Sequence, residues 1–154
     1  MSGKILSSVV DLNRRQLLGG CAAALLLGVV PSALAVPAAS VLAVRVWPSH
    51  AYTRVTIESS TPLAFNHFAV KDPERLVVDM EGVDLNGELQ SLSTKIGDGD
   101  PFIQKLRAGR NKPGVVRLVL DLKAAVSPQV FTLPPAGDYK HRLVIDLYPA
   151  GQED

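Results

Sequence analysis

A short strand pattern recurs in the second part of this chain. Arginine begins each copy, three β-forming residues follow, and an acid stands four positions after the arginine. The copies are residues 54–58, 75–80, 117–122 and 142–147, and the first of them has Glu58 where the others have aspartate. Because side chains alternate between the two faces of a β-strand, the arginine and the acid of each copy share one face. Each copy therefore predicts a strand with one polar face.

The opposite face of each copy is apolar. In residues 75–80, Leu76, Val78 and Met80 point away from the arginine and the aspartate. Such alternation is typical of strands that bury one face against a core and leave the other in water. We expect the apolar faces of these strands to form the core of the domain.

The order of strands and turns predicts the fold. Residues 41–82 and 102–149 each contain four predicted strands, and the irregular connector 83–101 joins them. Many short strands separated by turns indicate an all-β sandwich or barrel. We expect each half to form one four-stranded sheet and the two sheets to pack by their apolar faces. The result would be an all-β sandwich with internal pseudo-two-fold symmetry and its polar faces outside.

Several local predictions concern the second half. We predict a strand at residues 102–108 and a tight turn at 109–114, which is rich in glycine and contains a proline. Residues 123–128 are predicted to form a turn, followed by a short strand at 129–133. These bounds place Pro128 in the turn.

The first strand and the connector carry weaker patterns. In residues 41–47, alternation places Leu42, Val44 and Val46 on one face. Leucines and an isoleucine recur at helical spacing in the connector, which allows a short turn of helix. The acidic segment 97–100 lacks the later spacing of a calcium loop, and we interpret it as a solvated loop.

Residues 1–35 have the features of a cleavable export signal. The pair Arg14 and Arg15 precedes an apolar run at residues 17–30, which is shorter than the roughly 20 residues of a membrane span. The small-x-small pattern of Ala33, Leu34 and Ala35 predicts cleavage before Val36, and the arginine pair resembles the twin-arginine signal. We therefore expect a periplasmic chain without a membrane span after cleavage. The lone Cys21 lies in the leader, so the exported chain would contain no cysteine.

The ends of the exported chain are expected to lie outside the β domain. Residues 36–40 are interpreted as a short lead-in, and residues 150–154 as the start of a linker. The polar C-terminal run suggests a fragment of a longer protein.

Charge and motifs restrict the function. The whole chain has a net charge of +1, and three cations against one acid lie in the leader, so the remainder is close to neutral. A near-neutral domain lacks the positive field that nucleic acid requires. The histidines, His50, His67 and His141, form no known metal motif. We predict no metal site and no catalytic residues in this chain.

Two interpretations of the repeated arginine and acid remain open. One is a ladder of cross-strand ion pairs, although exposed pairs contribute only about 0–1 kcal/mol each. The other is a recognition face for a ligand with acids, amides and hydroxyls, such as peptidoglycan, because arginine offers a planar fork of donors. The candidate binding residues are Arg54, Arg75, Asp79, Arg117, Asp121, Arg142 and Asp146. The aromatic residues Trp47, Tyr52, Tyr139 and Tyr148 either stack on sugars or pack in the core and rim.

Four segments carry a family resemblance. They are TRV at 53–55, DPERLVVD at 72–79, RAGRNKPGVVRLVLDL at 107–122 and HRLVIDLYP at 141–149. Together they resemble the AMIN domain, the N-terminal module of periplasmic N-acetylmuramoyl-L-alanine amidases of the AmiC type. The resemblance covers about residues 41–149. Glu58 departs from the aspartate of the family's strand motif.

The resemblance implies a two-sheet β fold, peptidoglycan binding and placement of an amidase at the division septum, where it serves cell separation. In the family a catalytic zinc domain follows the AMIN domain, and no zinc ligand or catalytic residue of that domain matches this sequence. Zinc is therefore expected only in the absent amidase domain. Alternative functions are an interaction module of a pilus or secretion pore, and a domain that docks on divisome proteins.

Overall fold

The computed structural model describes Gly28 and residues 37–151. The chain divides into two units, residues 1–35 and 36–154, and the account below concerns the second unit. The predicted export signal, with Arg14, Arg15 and Cys21, lies outside the described residues, as do residues 152–154. Within the described residues, no helix has the length and apolar character needed to cross a membrane.

Eight strands and one helix make up the domain. In chain order they are β1 (Val41–Trp47), β2 (Thr53–Ser59), β3 (Ala64–Val70), β4 (Arg75–Glu81), α1 (Gly87–Lys95), β5 (Ile103–Lys112), β6 (Val115–Leu122), β7 (Val126–Leu133) and β8 (His141–Pro149). They form two antiparallel four-stranded sheets. The prediction of an all-β fold with two packed sheets is therefore confirmed.

The expectation that each half forms its own sheet is wrong. The first sheet has the order β1-β2-β8-β7 and the second has the order β3-β4-β6-β5. Each sheet therefore combines one hairpin from the first half with one hairpin from the second half. In the repeat, β1, β2, β3 and β4 correspond to β5, β6, β7 and β8. Replacing every strand by its counterpart converts one order into the other. The repeat therefore exchanges the two sheets with each other.

The four copies of the arginine–acid pattern are the central strands. In the first sheet β2 pairs with β8, and in the second β4 pairs with β6. Antiparallel pairing of two copies sets the arginine of one strand opposite the acid of the other. This charge pairing stabilises each sheet, because like charges directly opposite each other would destabilise it.

The core lies between the sheets. Many of its fully buried side chains come from the alternate positions of the central strands. They include Val55, Ile57, Leu143, Ile145 and Leu147 of the first sheet and Leu76, Val78, Met80, Leu118 and Leu120 of the second. The predicted apolar faces are confirmed, and the opposite faces of both sheets are the outer faces of the domain.

Two strands in the second half are longer than predicted. β5 continues through Lys112, and the predicted turn at 109–114 shrinks to Pro113 and Gly114, which has a φ of 74°. Glycine adopts such a positive φ without steric cost. β7 begins at Val126 and includes Pro128, where a turn was predicted. An edge strand tolerates proline because one side of its backbone has no pairing partner.

The alternation predicted for β1 fails at its beginning. Leu42 is 45% exposed, whereas Val41 and Val44 are buried. The pairing with β2 shifts register between Val41 and Ala43. Such an irregularity inserts one extra residue and reverses the faces on either side of it.

The connector forms a complete helix and not a single turn. Asn86 caps α1 by accepting a hydrogen bond from the Leu89 backbone N–H at 3.0 Å, and its amide donates to the Val41 carbonyl at 3.0 Å. Leu89 and Leu92 are fully buried. The helix packs against β1 and β5, which are one edge strand from each sheet.

The acidic segment before β5 was predicted to be a solvated loop. The structure shows that its last residue is buried. Asp100 is only 2% exposed. Its Oδ1 accepts hydrogen bonds from the backbone N–H groups of Phe102 and Ile103, both at 2.9 Å, and from the Thr53 hydroxyl at 3.2 Å. The carboxylate therefore anchors the start of β5 to β2.

Candidate functional site

The two outer faces carry matching rows of side chains. We call the outer face of the first sheet the first face. Its rows are Arg45–Thr56–Val144–Phe131, Trp47–Arg54–Asp146–Gln129 and Ala43–Glu58–Arg142–Leu133. We call the outer face of the second sheet the second face. Its corresponding rows are Arg107–Val119–Val77–Phe68, Gly109–Arg117–Asp79–Asn66 and Lys105–Asp121–Arg75–Val70. The charged positions are repeated from one face to the other.

One bidentate ion pair lies at the centre of each face. On the first face, Arg54 Nε and Nη2 donate to the two carboxylate oxygens of Asp146, each at 2.7 Å. On the second, Arg117 Nε and Nη2 donate to Asp79 at 2.8 and 2.9 Å. The Asp146 side chain is 2% exposed and that of Asp79 17%. The pair on the first face is the more deeply covered of the two.

A second ion pair flanks each central one. Arg45 of β1 lies 3.1 Å from Glu58, and Arg107 of β5 lies 3.1 Å from Asp121. Sequence reasoning missed both arginines because they belong to edge strands that lack the repeated pattern. Their position on the polar face of a predicted strand was the available signal. Glu58 fills the acidic position of the first face, although it departs from the aspartate of the other copies.

The remaining predicted arginines, Arg75 and Arg142, have no ion-pair partner among residues 37–151. Each lies opposite an acid whose carboxylate is held by an edge-strand arginine instead. Arg142 Nη2 is 3.4 Å from the Pro134 carbonyl, and its guanidinium is 4.9 Å from the centre of the Tyr139 ring. Arg75 Nε is 3.4 Å from the Pro73 carbonyl. No carboxylate in the described part of the chain holds either guanidinium group, although the Nε of Arg142 is buried.

The hydrogen bonds shift the pKa values of the paired groups. The backbone N–H of Lys140 and then the Arg45 guanidinium lower the pKa of Glu58 below its ordinary value. The hydrogen bonds from Arg117 lower the pKa of Asp79 and raise that of Arg117. The hydrogen bond to Asp146 likewise raises the pKa of Arg54. At neutral pH these groups are charged.

The pairing decides which groups can meet a ligand. Asp146 and Asp79 have both oxygens occupied by an arginine, so they orient that arginine. Two of the five N–H donors of Arg54 and of Arg117 are used in this way, and three remain. The ion pairs of the first interpretation are observed, and they hold arginine donors in place at the surface. The recognition face stays a prediction for the same residues. The faces present donors more than acceptors.

Aromatic side chains distinguish the first face. Tyr52 and Tyr148 stack with ring centres 5.0 Å apart, and the Arg54 guanidinium lies 5.6 Å from the centre of the Tyr52 ring. Trp47, Pro48, Ser49, Tyr52 and Arg54 line a shallow cavity of about 350 Å³. Tyr139 packs between Arg45 and Arg142, whose guanidinium carbons are 5.5 and 4.9 Å from its centre. Trp47 and Tyr139 are exposed, so neither belongs to the core.

Two antiparallel sheets with matching charged outer faces define a small β-sandwich domain. The chain belongs to the AMIN domain family, whose model matches residues 43–147. This result confirms the resemblance seen in the sequence.

Two curated relatives match nearly the whole chain. The chain is 47% identical over 148 residues to the N-acetylmuramoyl-L-alanine amidase AmiC of Neisseria meningitidis serogroup B, covering 94% of this chain and 36% of that protein. It is 48% identical over 143 residues to the N-acetylmuramoyl-L-alanine amidase AmiC of Escherichia coli O6:H1, covering 93% of this chain and 34% of that protein. The chain therefore spans about a third of the length of these relatives.

Proposed function

We propose that this chain is the non-catalytic, peptidoglycan-binding module of an N-acetylmuramoyl-L-alanine amidase. The observation that carries the proposal is the duplicated row of oriented arginines, in a chain whose relatives are amidases of that name. Peptidoglycan contains carboxylates, amides and hydroxyls, all of which accept hydrogen bonds from a guanidinium. Because the binding module and the enzyme would belong to one chain, binding of the module would raise the effective concentration of the amidase at its substrate.

The roles of the individual residues follow from their pairing. Arg54, Arg117, Arg75 and Arg142 supply donors to the polymer. Asp146, Asp79 and Asp121 act as positioning residues, because each holds an arginine of its own face. Since the faces lie on opposite sides of the sandwich, the module can engage wall polymer on two sides.

The setting of this activity is proposed from the sequence. The chain is exported by the twin-arginine route, acts in the periplasm, and brings the amidase to the division septum for cell separation. Zinc serves the amidase domain and not this module. Divisome proteins are possible additional partners at the septum.

A sedimentation assay with purified sacculi tests the binding. The double variant Arg75→Ala plus Arg142→Ala removes the two candidate binding arginines that no carboxylate of residues 37–151 holds, and we expect it to bind at least about tenfold more weakly. The control is Lys71→Ala plus Lys95→Ala, which removes the same charge from a turn and from the end of α1. Failure of the unmodified chain to sediment with sacculi would contradict the proposal and favour a protein-docking role.

A further inference from the structure

The cavity beside Trp47 is a surface feature that the arginine–acid ladder does not explain. Trp47 is the last residue of β1 and is 49% exposed, although exposing an indole to water is unfavourable. It lies opposite Arg54 in the strand register, so both side chains are on the first face. Ligand sites typically combine aromatic side chains with a few precisely placed polar groups, as this cavity does.

The neighbouring loop is ordered before any ligand arrives. The Ser49 hydroxyl accepts hydrogen bonds from the backbone N–H groups of Ala51 and Tyr52, both at 3.2 Å. Tyr52 in turn stacks on Tyr148. The wall of the cavity is therefore fixed by the fold, which reduces the entropy lost on binding.

Arg54 supplies a polar group at a fixed position. Asp146 holds the guanidinium from one side with two hydrogen bonds of 2.7 Å, and the Tyr52 ring lies against it. Its three remaining donors face away from Asp146. A flat apolar surface and a rigid set of donors are thus combined in one small cavity.

The second face provides an internal comparison. Gly109 occupies the position opposite Arg117 that Trp47 occupies opposite Arg54. A Cβ at Gly109 would meet nothing within 4 Å, so packing does not exclude a side chain there. The ion pair of the second face therefore exists without an indole at this position, and its Arg117 guanidinium lies 5.6 Å from the centre of the Phe68 ring instead. The strands do not need the indole for their pairing, which separates Trp47 from the structural role of the ladder.

We propose that this cavity binds the saccharide chain of peptidoglycan, with an N-acetylated amino-sugar ring on the indole of Trp47. The C–H groups on one side of a pyranose ring pack on an aromatic face, and its acetamido and hydroxyl oxygens accept from Arg54. The inference rests on the proposed function, since it specifies which part of the wall polymer the first face recognises. A stem peptide has no comparable flat ring to cover the indole.

The chain itself contains the probe for this inference, because Trp47 is its only tryptophan. We expect the linear tetramer of N-acetylglucosamine to produce a saturable shift or quench of the tryptophan emission. A synthetic stem tripeptide at the same concentration should leave the emission unchanged. A response to the tripeptide and not to the tetramer would overturn the inference.

A pair of variants tests the role of the indole by calorimetry with the same tetramer. Trp47→Ala should weaken binding at least about tenfold, whereas Phe68→Ala, which removes a 40% exposed ring from the second face, should bind as the unmodified chain does. If Trp47→Ala fails to fold, the fluorescence of the unmodified chain still decides.

The outcomes separate this inference from the proposed function. A chain that sediments with sacculi but shows no response to the tetramer would overturn the saccharide site and leave wall binding intact. A chain that binds neither sacculi nor the tetramer would overturn both.

Discussion

Arg54 and Asp146 form a bidentate ion pair with both N–O distances at 2.7 Å, although 92 positions separate them in the sequence. The pair joins the central strands β2 and β8, which come from different halves of the repeat. Arg117 and Asp79 form the counterpart across β4 and β6. The same contact therefore fixes the register of each sheet and orients a donor on each outer face.

Loss of the arginine should cost more on the first face than on the second. In Arg54→Met the buried carboxylate of Asp146 loses its partner, and we expect a decrease of about 3 kcal/mol in the free energy of unfolding, measured in urea. Arg117→Met should cost less, because the Asp79 side chain is more exposed to water. Equal losses for the two variants would contradict the difference in burial.

The free energy of unfolding should decrease at acidic pH, and Glu58 and Asp79 should account for this decrease. Their ordinary pKa values are 4.5 and 3.8, and both are lowered in the folded domain. The stability they contribute is therefore complete above about pH 5 and is lost as the pH falls through 4 towards the folded pKa values. In the double variant Glu58→Gln plus Asp79→Asn, the urea concentration at the midpoint of unfolding should depend less on pH between pH 5 and pH 2.

The control for this acid titration is Glu81→Gln on the outer face of β4. Glu81 is exposed and is not in an ion pair within the described part of the chain. The variant should retain the slope of the unmodified protein between pH 5 and pH 2. A flattened profile in this variant would show that the loss is not specific to the paired acids.

The irregularity in β1 predicts which of its apolar residues supports the fold. Val44→Ala should lower the free energy of unfolding by about 2 kcal/mol, because it removes two buried methyl groups and leaves a cavity. Leu42→Ala should change it by less than about 0.5 kcal/mol, since the side chain faces water. Urea denaturation of both variants measures the difference, and the reverse order would restore the alternation expected from the sequence.

The helix cap gives a second stability test. Asn86→Ala removes both the acceptor for Leu89 and the donor to the Val41 carbonyl, so we expect a loss of about 2 kcal/mol in thermal unfolding. Asn86→Asp keeps the cap acceptor and loses only the donor, and it should cost less. A larger loss for the aspartate variant would contradict this order and would indicate repulsion between the new carboxylate and the Val41 carbonyl.

The buried turn before β5 depends on one carboxylate. Asp100→Ala removes the acceptor of three hydrogen bonds, and about 3 kcal/mol of unfolding free energy should be lost. Asp98→Ala in the same segment alters an exposed side chain and should be nearly neutral. Chemical denaturation of the two variants compares them directly, and similar losses would contradict an anchoring role for Asp100.

Local patterns in the sequence determined the strands and their faces. The repeated arginine and acid lie on one side of each central strand, and the buried positions of β4 and β6 are the predicted ones, because a two-residue period needs only the backbone geometry of a strand. Errors came where a local rule was overridden. Leu42 turned outward at a register shift, and Asp100 was buried by partners in β2 and β5.

Only the tertiary structure decided which strands pair. The sequence allowed each half to form its own sheet, but the hairpins of the two halves are combined, so Arg54 meets Asp146 and not an acid of its own half. Pairing depends on the free energy of whole sheets in contact, to which charge pairs and apolar burial contribute across long sequence separations. The residues that line the cavity beside Trp47 all come from the β1–β2 hairpin, but Tyr148 and Asp146, which support Tyr52 and Arg54, come from β8, and no local pattern contains that relationship.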